Sequence, residues 1–455
     1  MNKKSKKIHF IGIGGIGMSG IAGLFLKRGF SVTGSDIKES RATGQLKLAG
    51  AEIFIGHHQD NIQNQDLIVY SSAIKLDNPE MQEGKKKNIP LIKRAQALAQ
   101  LMLDKTAITI AGSHGKTTTT SLVSHLLIEA GLCPSVAIGG ILKNIDANAC
   151  LGKSDFFVAE ADESDGSFLH YQPAYSIITN IDREHLDYYG TFENELKAFS
   201  DFMNKTSKKG VLFACSDDAN LKRMLATYSG KYKSFGLDPS ADIYAAQIKF
   251  SGLSSSFDCF HSKKRVAKFN LALGGEHNIS NALAVIGLGL ELGIDLKIIK
   301  KALLTYQGAL RRLEIKFQDE RYLLLDDYAH HPSEIKATLA ALAKLKAKRR
   351  IGIFQPHRYS RTQLLLEEFT RAFESLDILI ITDIYAASEQ PIAGINAELL
   401  LKKIKEYSPA KVALYLPKQE IIDYIKKVIL PGDILVTLGA GDIVKVSDDL
   451  AKSLN

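Results

Sequence analysis

Cysteine is scarce in this chain of 455 residues, and its four cysteines lie far apart. The absence of a C-x-x-C pair or a dense cysteine pattern excludes a disulfide-rich secreted scaffold and favours a reducing compartment. No apolar run reaches the roughly 20 residues that span a membrane, so we expect no membrane insertion. The first residues also lack the continuous apolar core of a signal peptide. These absences together predict a cytoplasmic location.

A strong charge of either sign and low-complexity tracts are also lacking. The net charge is +8, from 58 basic and 50 acidic residues. An anionic substrate explains this mild bias as well as a nucleic acid would, and we expect no nucleic-acid partner. The apolar content of 45% and the charged content of 24% are typical of globular proteins. The length alone predicts about three domains, and we expect a monomer or a weak homodimer.

The segment Ile108–Thr120 has the pattern of a phosphate-binding turn. Its sequence, ITIAGSHGKTTTT, predicts a short strand, a glycine turn and the start of a helix. Such a turn points backbone N–H groups and a helix N-terminus at one place, where a phosphate binds. Lys116 adds a positive charge there, and the Thr117 hydroxyl can bind a magnesium ion. The turn is shorter than a standard P-loop, since Ile110 stands where that pattern has its first glycine.

A second glycine-rich turn, near the N-terminus, has the pattern of a dinucleotide-binding turn. Ile8–Ile13 predicts a strand, a helix follows, and Phe30–Gly34 predicts the next strand. Asp36 follows the last glycine of the GxGxxG pattern by 19 residues. This pattern specifies a diphosphate at a helix N-terminus and an acid that accepts from a ribose hydroxyl, but it does not specify nicotinamide.

Two further apolar runs end in clusters of acidic residues. Asp155–Ala159 precedes the sequence EADESD, and Ser176–Thr179 precedes the sequence NIDREHLD. Both runs predict buried parallel strands. Acidic clusters at strand ends are more often solvated than metal-binding when they occur alone. Two of them beside a phosphate turn favour a magnesium site, because this cation prefers oxygen ligands.

The rest of the chain again alternates predicted strands and helices, which predicts a doubly wound α/β unit. Asn278 and Asn281 are three apart near a predicted helix start. They either bind a base or phosphate through their amides, or Asn278 caps the helix. Arg358 and Arg361 follow a predicted strand. They either clamp a carboxylate by bidentate hydrogen bonds or lie on a solvated helix face.

Taken together, these features resemble the Mur ligase family, which builds the peptide stem of bacterial cell-wall precursors. The motifs HFIGIGGIGMSGIA, GSHGKTTTT, EADESD, TNIDREHLD, EHNISN, DDYAHHP and FQPHRYSRT occur in that family's order and span essentially the whole chain. The resemblance implies an α/β protein of three domains. These are a Rossmann-like UDP-sugar-binding domain (1–105), a central ATP-binding parallel-sheet domain (106–308) and a C-terminal Rossmann-like domain that binds an amino acid (309–455). It further implies the branch that joins L-alanine to UDP-N-acetylmuramate, with ATP and Mg²⁺.

The resemblance also implies roles for individual residues. The UDP-sugar is expected at Gly12, Gly14, Gly15, Gly17, Asp36, His57, Ser71, Ser72 and Arg94. ATP is expected at Gly112, Ser113, His114, Gly115, Lys116, Thr117, Thr118, Asn278, Asn281, Arg312 and Asp327. The expected magnesium ligands are Thr117, Glu160 and His185, and the amino acid is expected at Tyr328, His330, Arg358 and Arg361. Lys116, Arg312 and His330 are the expected catalytic residues, with His330 the candidate general base.

Three alternatives stand beside this interpretation. A recycling ligase would add a preformed tripeptide to the same sugar nucleotide, and the size of its acceptor pocket is not readable from spacing. An NAD-dependent oxidoreductase would account for GIGGIG and Asp36, but it leaves the GKTTTT turn unexplained. A non-catalytic nucleotide-binding switch would bind ATP without forming an amide.

Overall fold

Three sheets flanked by helices form the framework of the described chain, which confirms the predicted three-domain α/β architecture. The computed structural model describes residues 6–71, 73–387, 389–407 and 412–454. Ser72, which we predicted to contact the UDP-sugar, lies outside these described residues. The chain forms two compact units. One takes the chain up to Gln247 together with Phe257–Asn270 and Ser280–Gln307, and the other takes Ile248–Ser256, Leu271–Ile279 and the chain from Gly308 onward.

The first sheet is wholly parallel. Its strands are β1 (Lys7–Ile11), β2 (Ser31–Asp36), β3 (Glu52–Ile55), β4 (Leu67–Tyr70) and β5 (Leu91–Lys93), and its helices are α1 (Ile16–Lys27), α2 (Arg41–Leu48), α3 (Pro79–Lys86) and α4 (Arg94–Met102). The strand order is β3-β2-β1-β4-β5, so the direction in which strands are added reverses at β1. Such a reversal opens a crevice at the carboxyl end of the central strand. β1 stops at Ile11 rather than at Ile13, because Gly12 adopts a φ of +79°.

The second sheet has ten strands in the order β15-β14-β13-β12-β11-β10-β6-β9-β7-β8. These are β6 (Thr106–Ala111), β7 (Ser135–Leu142), β8 (Ala147–Cys150), β9 (Phe156–Glu160), β10 (Tyr175–Ile178), β11 (Val211–Cys215), β12 (Tyr232–Gly236), β13 (Ile243–Ser251), β14 (Ser254–His261) and β15 (Lys264–Leu271). The accompanying helices are α5 (Lys116–Glu129), α6 (Leu186–Tyr189), α7 (Phe192–Met203), α8 (Ala219–Leu225), α9 (Glu276–Glu291) and α10 (Leu296–Thr305).

The centre of this second sheet is parallel, and β8 pairs antiparallel with β7 at its edge. β6 lies between β9 and β10 and is parallel to both. The carboxyl ends of these three strands therefore meet at one edge of the sheet, which is where ligands bind in such folds.

The third sheet has the order β16-β17-β21-β18-β19-β20. Its strands are β16 (Glu314–Gln318), β17 (Tyr322–Asp327), β18 (Arg349–Phe354), β19 (Ile378–Ile381), β20 (Val412–Tyr415) and β21 (Asp433–Leu438), and its helices are α11 (Pro332–Ala343), α12 (Tyr359–Leu364), α13 (Leu366–Thr370), α14 (Ala397–Tyr407), α15 (Ile421–Val428) and α16 (Val444–Leu454). Only the β16–β17 pair is antiparallel among the described pairs.

Both faces of the third sheet are buried. Leu325 and Val436 pack in one apolar cluster with α11, α13 and α14, whereas their chain neighbours Leu324 and Leu435 pack in another with α15 and α16. Successive side chains of a strand point to opposite faces, so apolar runs such as Tyr322–Leu325 can serve two helix layers at once. Among the described helices, none combines the length and apolar character that crossing a membrane requires.

Candidate active site

The phosphate turn joins β6 to α5 as predicted, and the neighbouring strand β10 holds it in place. Gly112 has a φ of +128°, and a Cβ there would collide with Thr179 Oγ1. The backbone of His114 is held from both sides. Its N–H donates to Asn180 Oδ1 at 2.8 Å, and its carbonyl oxygen accepts from Thr179 Oγ1 at 2.6 Å. His114 Nε2 also lies 3.0 Å from Asp182 Oδ2. The turn is thus a preformed cradle at the N-terminus of α5.

Lys116, the first residue of α5, is bound by the protein itself in this structure. Its Nζ donates to the carbonyl oxygens of Gly112 at 2.5 Å and Ser113 at 3.1 Å, and to Glu163 Oε1 at 2.6 Å. Burial alone would lower the pKa of Lys116, but the charges of Glu163 and Asp162 raise it above its ordinary value. Lys116 is therefore a fixed positive charge at the phosphate turn.

Two of the three predicted magnesium ligands lie side by side. Thr117 is the second residue of α5, and Glu160 is the last residue of β9, the strand next to β6. The Thr117 hydroxyl donates to Glu160 Oε2 at 3.0 Å, and the same oxygen accepts from the Gly139 N–H at 2.9 Å. Thr118, the next residue of α5, is buried. The strand order thus brings a hydroxyl and a carboxylate together as the sequence predicted.

The third predicted ligand, His185, lies with two glutamates. His185 has a left-handed backbone, with φ at +55°, at the start of α6. Its Nε2 lies 3.4 Å from Glu163 Oε1 and 3.7 Å from Glu184 Oε2, and the ligand atoms of all three residues fall within 4.8 Å of one another. Burial acts to lower the pKa of His185, but its bond to Glu163 and the charge of Glu184 raise it. Glu163 therefore links His185 to Lys116.

The asparagines predicted to bind ATP both lie in the first turns of α9. A Cβ at Gly115, which has a φ of +83°, would lie 2.9 Å from Asn281 Oδ1, so this amide contacts the phosphate turn closely. Asn278 Nδ2 donates to the Gly274 carbonyl oxygen at 2.7 Å. Asn278 therefore ties its helix to the preceding loop through its amide.

The glycine turn after β1 is held by the acid that we predicted to bind ribose. The Gly14 N–H donates to Asp36 Oδ2 at 2.8 Å, and the Gly15 N–H donates to the Gly12 carbonyl oxygen at 3.3 Å. Ser71 follows β4 at the same edge, and its Oγ accepts from the Ala73 N–H at 3.3 Å. Asp36 thus shapes the turn itself through this hydrogen bond.

A cavity of about 460 Å³, open to solvent, is lined by two residues that we predicted to bind the sugar nucleotide and by one predicted magnesium ligand. Gly17 and Arg94 line it from the first domain, and Glu160 and Asp162 line it from the end of β9. Arg94 Nη2 donates to Asp162 Oδ2 at 3.3 Å, and a Cβ at Gly17 would lie 3.0 Å from Arg94 Nη1. Glycine at position 17 therefore lets the guanidinium approach the turn.

In the third domain, Asp327 is a buried anchor at the end of β17. Its Oδ2 accepts from the Leu313 N–H at 2.6 Å, and its Oδ1 accepts from the Ala329 N–H at 2.8 Å. Burial raises the pKa of Asp327 to about 6, although Arg312 acts to lower it. The Arg312 guanidinium lies 5.2 Å from the centre of the Tyr328 ring. The predicted ATP residues of this domain therefore adjoin its predicted amino-acid residues.

The predicted amino-acid residues gather around two histidines. His330 Nδ1 lies 3.0 Å from the Tyr328 carbonyl oxygen, so in the neutral ring this nitrogen carries the proton and Nε2 can act as a base. The His330 ring packs edge-on against His357 at 5.5 Å, and Arg361 Nη1 lies 3.2 Å from His357 Nδ1. The Arg358 N–H donates to the Tyr385 carbonyl oxygen at 2.8 Å.

Four residues that contact the predicted site residues were not among those predictions. Burial, followed by the electrostatic influence of His330 and Arg361, lowers the pKa of His357 to about 3. Tyr385 stacks on His357 at 5.6 Å. Arg311 donates to Asp326 and to the carbonyl oxygens of Gly439 and Gly441. Glu163 was only one acid of a cluster. In the sequence, His357 directly precedes Arg358 and Arg311 directly precedes Arg312. This adjacency to two predicted residues was the only signal that could have indicated them.

Three consecutive family models match the chain. "Mur ligase family, catalytic domain" matches residues 7–106, "Mur ligase middle domain" matches 110–289, and "Mur ligase, glutamate ligase domain" matches 311–441. A UDP-N-acetylmuramate–L-alanine ligase of Desulfatibacillum aliphaticivorans is 45% identical over 454 residues, which is 100% of both chains. One from Geobacter sp. (strain M21) is 43% identical over 99% of this chain and 98% of that relative.

A solved structure agrees with these matches. The crystal structure of a UDP-N-acetylmuramate–alanine ligase from Thermotoga maritima has a TM-score of 0.84 at 29% identity, and the match covers 98% of this chain and 99% of that one. With these matches along its whole length, and with the phosphate turn and strand-end acids in place, the chain belongs to the Mur ligase family.

Proposed function

We propose that this chain is an ATP-dependent ligase that joins L-alanine to the lactoyl carboxylate of UDP-N-acetylmuramate and releases ADP and phosphate. A cavity carries this proposal, because Gly17 and Arg94 of the first domain line it together with Glu160 and Asp162 from the end of β9. A sugar nucleotide bound at the first turn can then extend toward the phosphate turn. The relatives that match over their full length are UDP-N-acetylmuramate–L-alanine ligases, which supports the same reaction.

The chemistry follows from the weakness of a carboxylate as an acyl donor. A carboxylate oxygen attacks the γ-phosphorus of ATP, ADP leaves, and an acyl phosphate forms. The amine of L-alanine then attacks the acyl carbon, phosphate leaves with the C–O bond electrons, and an amide remains. The first step joins two anions, so Lys116 stabilises it by placing positive charge at the transferred phosphoryl group.

The phosphate site offers donors that suit magnesium. The Thr117 hydroxyl and the Glu160 carboxylate are in contact, and His185 lies with Glu163, whose buried Oε2 has no hydrogen-bond partner among the described residues. Oxygen-rich donor sets of this kind fit Mg²⁺. Thr117, Glu160 and His185 would hold the ion, which supplies charge neutralisation for phosphoryl transfer.

The remaining roles belong to groups of residues. For ATP we propose Gly112, Ser113, His114, Gly115, Thr118, Asn278, Asn281, Arg312 and Asp327, and for the UDP-sugar Gly12, Gly14, Gly15, Gly17, Asp36, His57, Ser71, Ser72 and Arg94. Arg358 or Arg361 holds the alanine carboxylate, Tyr328 lines its site, and His330 Nε2 takes the proton that the ammonium must lose. We place the domain boundaries at residues 105/106 and 308/309. We further propose a cytoplasmic protein, without a nucleic-acid partner, that acts as a monomer or a weak homodimer.

The deciding experiment is phosphate release from ATP and magnesium with UDP-N-acetylmuramate as the acyl donor. L-Alanine, other single amino acids and the stem tripeptide are tested separately, and the products are analysed by mass spectrometry. Release that depends on L-alanine, with a product heavier by one alanyl residue, is the expected result. Turnover with the tripeptide alone would identify a recycling ligase instead. Absence of amide formation with any acceptor would refute the proposal.

A further inference from the structure

A buried carboxylate in the first domain contacts four polar side chains, and of these only His57 has a role in the proposed function. Glu80, on α3, is fully buried. Its Oε1 accepts from Asn61 Nδ2 at 2.5 Å, and its Oε2 accepts from Ser35 Oγ at 2.5 Å. The same Oε2 lies 3.3 Å from His57 Nδ1 and 3.6 Å from His9 Nε2. Burying a charge costs free energy, and here the hydrogen bonds of several side chains together offset that cost.

This network adjoins the sugar-nucleotide turn. The Ser35 carbonyl oxygen accepts from the Gly12 N–H at 2.9 Å, and Asp36 follows directly. Asp36 pairs with Ile55 across β2 and β3, so His57 emerges beside it at the carboxyl edge of the sheet. The acid at the end of β2 occupies the ribose position of a doubly wound nucleotide site. A ring at the end of the next strand is therefore placed to meet the base beyond that ribose.

The hydrogen bonds determine which nitrogen of His57 carries its proton. Burial acts to raise the pKa of Glu80, but its contact with His9 and its hydrogen bonds to Ser35 and Asn61 outweigh this and lower it, so Glu80 is a carboxylate at neutral pH. A carboxylate only accepts, and Ser35 must spend its hydroxyl proton on Glu80. Ser35 Oγ, 2.9 Å from His57 Nδ1, then accepts from that nitrogen. The neutral ring keeps its other nitrogen, Nε2, as a hydrogen-bond acceptor.

We infer that Glu80, acting through Ser35, holds His57 in the tautomer whose Nε2 accepts a hydrogen bond from the N3–H of a uracil base. Glu80 is thus a positioning residue for base recognition, and His57 makes the contact. Uracil offers a donor at N3 where cytosine offers an acceptor. The inference rests on the proposed function, since it concerns the base of the same sugar nucleotide.

Calorimetric titration of the full chain with UDP and with CDP tests this inference. The wild-type protein is expected to bind UDP about tenfold tighter than CDP, the effect of about one hydrogen bond. In Glu80→Gln, the Asn61 side chain still donates to the Oε1 position, so the glutamine oxygen stays there. The glutamine NH₂ then takes the Oε2 position and donates to Ser35. Ser35 in turn donates to His57 Nδ1, which moves the ring proton to Nε2. The preference is then expected to reverse toward CDP.

Two further variants keep the test decisive. Glu83→Gln changes an acid one turn along α3 that pairs with Lys86 and Lys87 at 3.5 Å, and it is expected to leave the UDP preference unchanged. His57→Leu removes the acceptor, and the ratio of the two affinities is expected to fall to about one. Circular dichroism and ADP binding establish that each variant is folded.

Two results would overturn the inference. One is equal binding of UDP and CDP by the wild-type protein, and the other is a folded Glu80→Gln variant that keeps the wild-type preference. If Glu80→Gln does not fold, His57→Leu decides, and an unchanged ratio there refutes the inference. Failure of the proposed function is separate, because it appears as absence of alanine ligation by the wild-type protein.

Discussion

The ion pair between Lys116 and Glu163 allows a prediction about stability as well as catalysis. Glu163 is fully buried, and its Oε1 lies 2.6 Å from Lys116 Nζ. At this distance and an effective dielectric constant of about 20, the attraction is about 6 kcal/mol before desolvation is counted. Removing one partner of a buried pair leaves an uncompensated charge and typically costs about 3–5 kcal/mol. We expect Lys116→Met to lose this amount of unfolding free energy.

A double-mutant cycle isolates the effect. Adding Glu163→Gln to Lys116→Met removes the stranded charge, so the double variant is expected to recover most of the lost stability. Urea unfolding followed by circular dichroism suits this chain, which has no tryptophan. The matched control is Lys105→Met. Lys105 lies 3.4 Å from Asp155, whose side chain is 86% exposed, and we expect a loss below about 1 kcal/mol.

The same variants test the catalytic assignment. Lys116→Met and Lys116→Ala are both expected to abolish ATP-dependent ligation and to leave binding of the sugar nucleotide intact, since we propose that this ligand binds at the first turn. Two results would refute the reasoning. A Lys116→Met protein as stable as the wild type would show that the buried Glu163 charge does not depend on Lys116. Loss of both ligation and sugar-nucleotide binding in a folded variant would show that the ATP site and the sugar-nucleotide site are wrongly assigned.

Three further predictions concern single residues. Gly112→Ala is expected to raise the KM for ATP about tenfold or more, because its Cβ would collide with the end of a neighbouring strand. The control is Gly131→Ala, at φ +72° in open space, which should cost only about 1 kcal/mol of stability. Equal effects of the two variants on the KM would contradict this prediction. Asp327 has a pKa of about 6 in the folded protein, above its ordinary 3.8, so its contribution to stability is present below about pH 4 and is lost as the pH rises through 6. In urea unfolding, the stability of Asp327→Asn relative to the wild type should therefore rise by up to about 3 kcal/mol between pH 4 and pH 7. A stability difference that does not change with pH would refute this prediction. Thr117→Val removes the hydroxyl that contacts Glu160 and is expected to slow ligation about 100-fold in a phosphate-release assay with UDP-sugar binding unchanged, so an unchanged rate would exclude it as a ligand.

Much of the fold was predictable because its signals are local. Glycine turns after short apolar runs located β1, β6 and the helices that follow them, and the run Asp155–Ala159 located β9 to within a residue. The positions of Thr117 and Glu160 at one edge also followed, since parallel strands that share a sheet end on the same side. The limits of β1 were less accurate, because the backbone turns at Gly12 rather than two residues later.

Contacts between distant segments were not predictable in the same way. Glu163 pairs with Lys116 only because β9 lies beside β6, and the sequence offers several other acids in the same run. His57 depends on Glu80, which lies 23 residues further along on α3 and has no motif of its own. Strand order and helix packing decide such pairs, and neither is written in a short pattern.

The sequence by itself therefore determined the kind of chemistry and the order of its parts: two glycine turns, two acidic strand ends and an arginine pair, each set by the backbone requirements of a few adjacent residues. The tertiary structure alone decided which charges neutralise one another, as for Lys116 with Glu163, and which ring nitrogen of His57 carries the proton. The reason is physical: a charge or a tautomer responds to every group within a few ångströms, and those groups come from parts of the chain that only folding brings together.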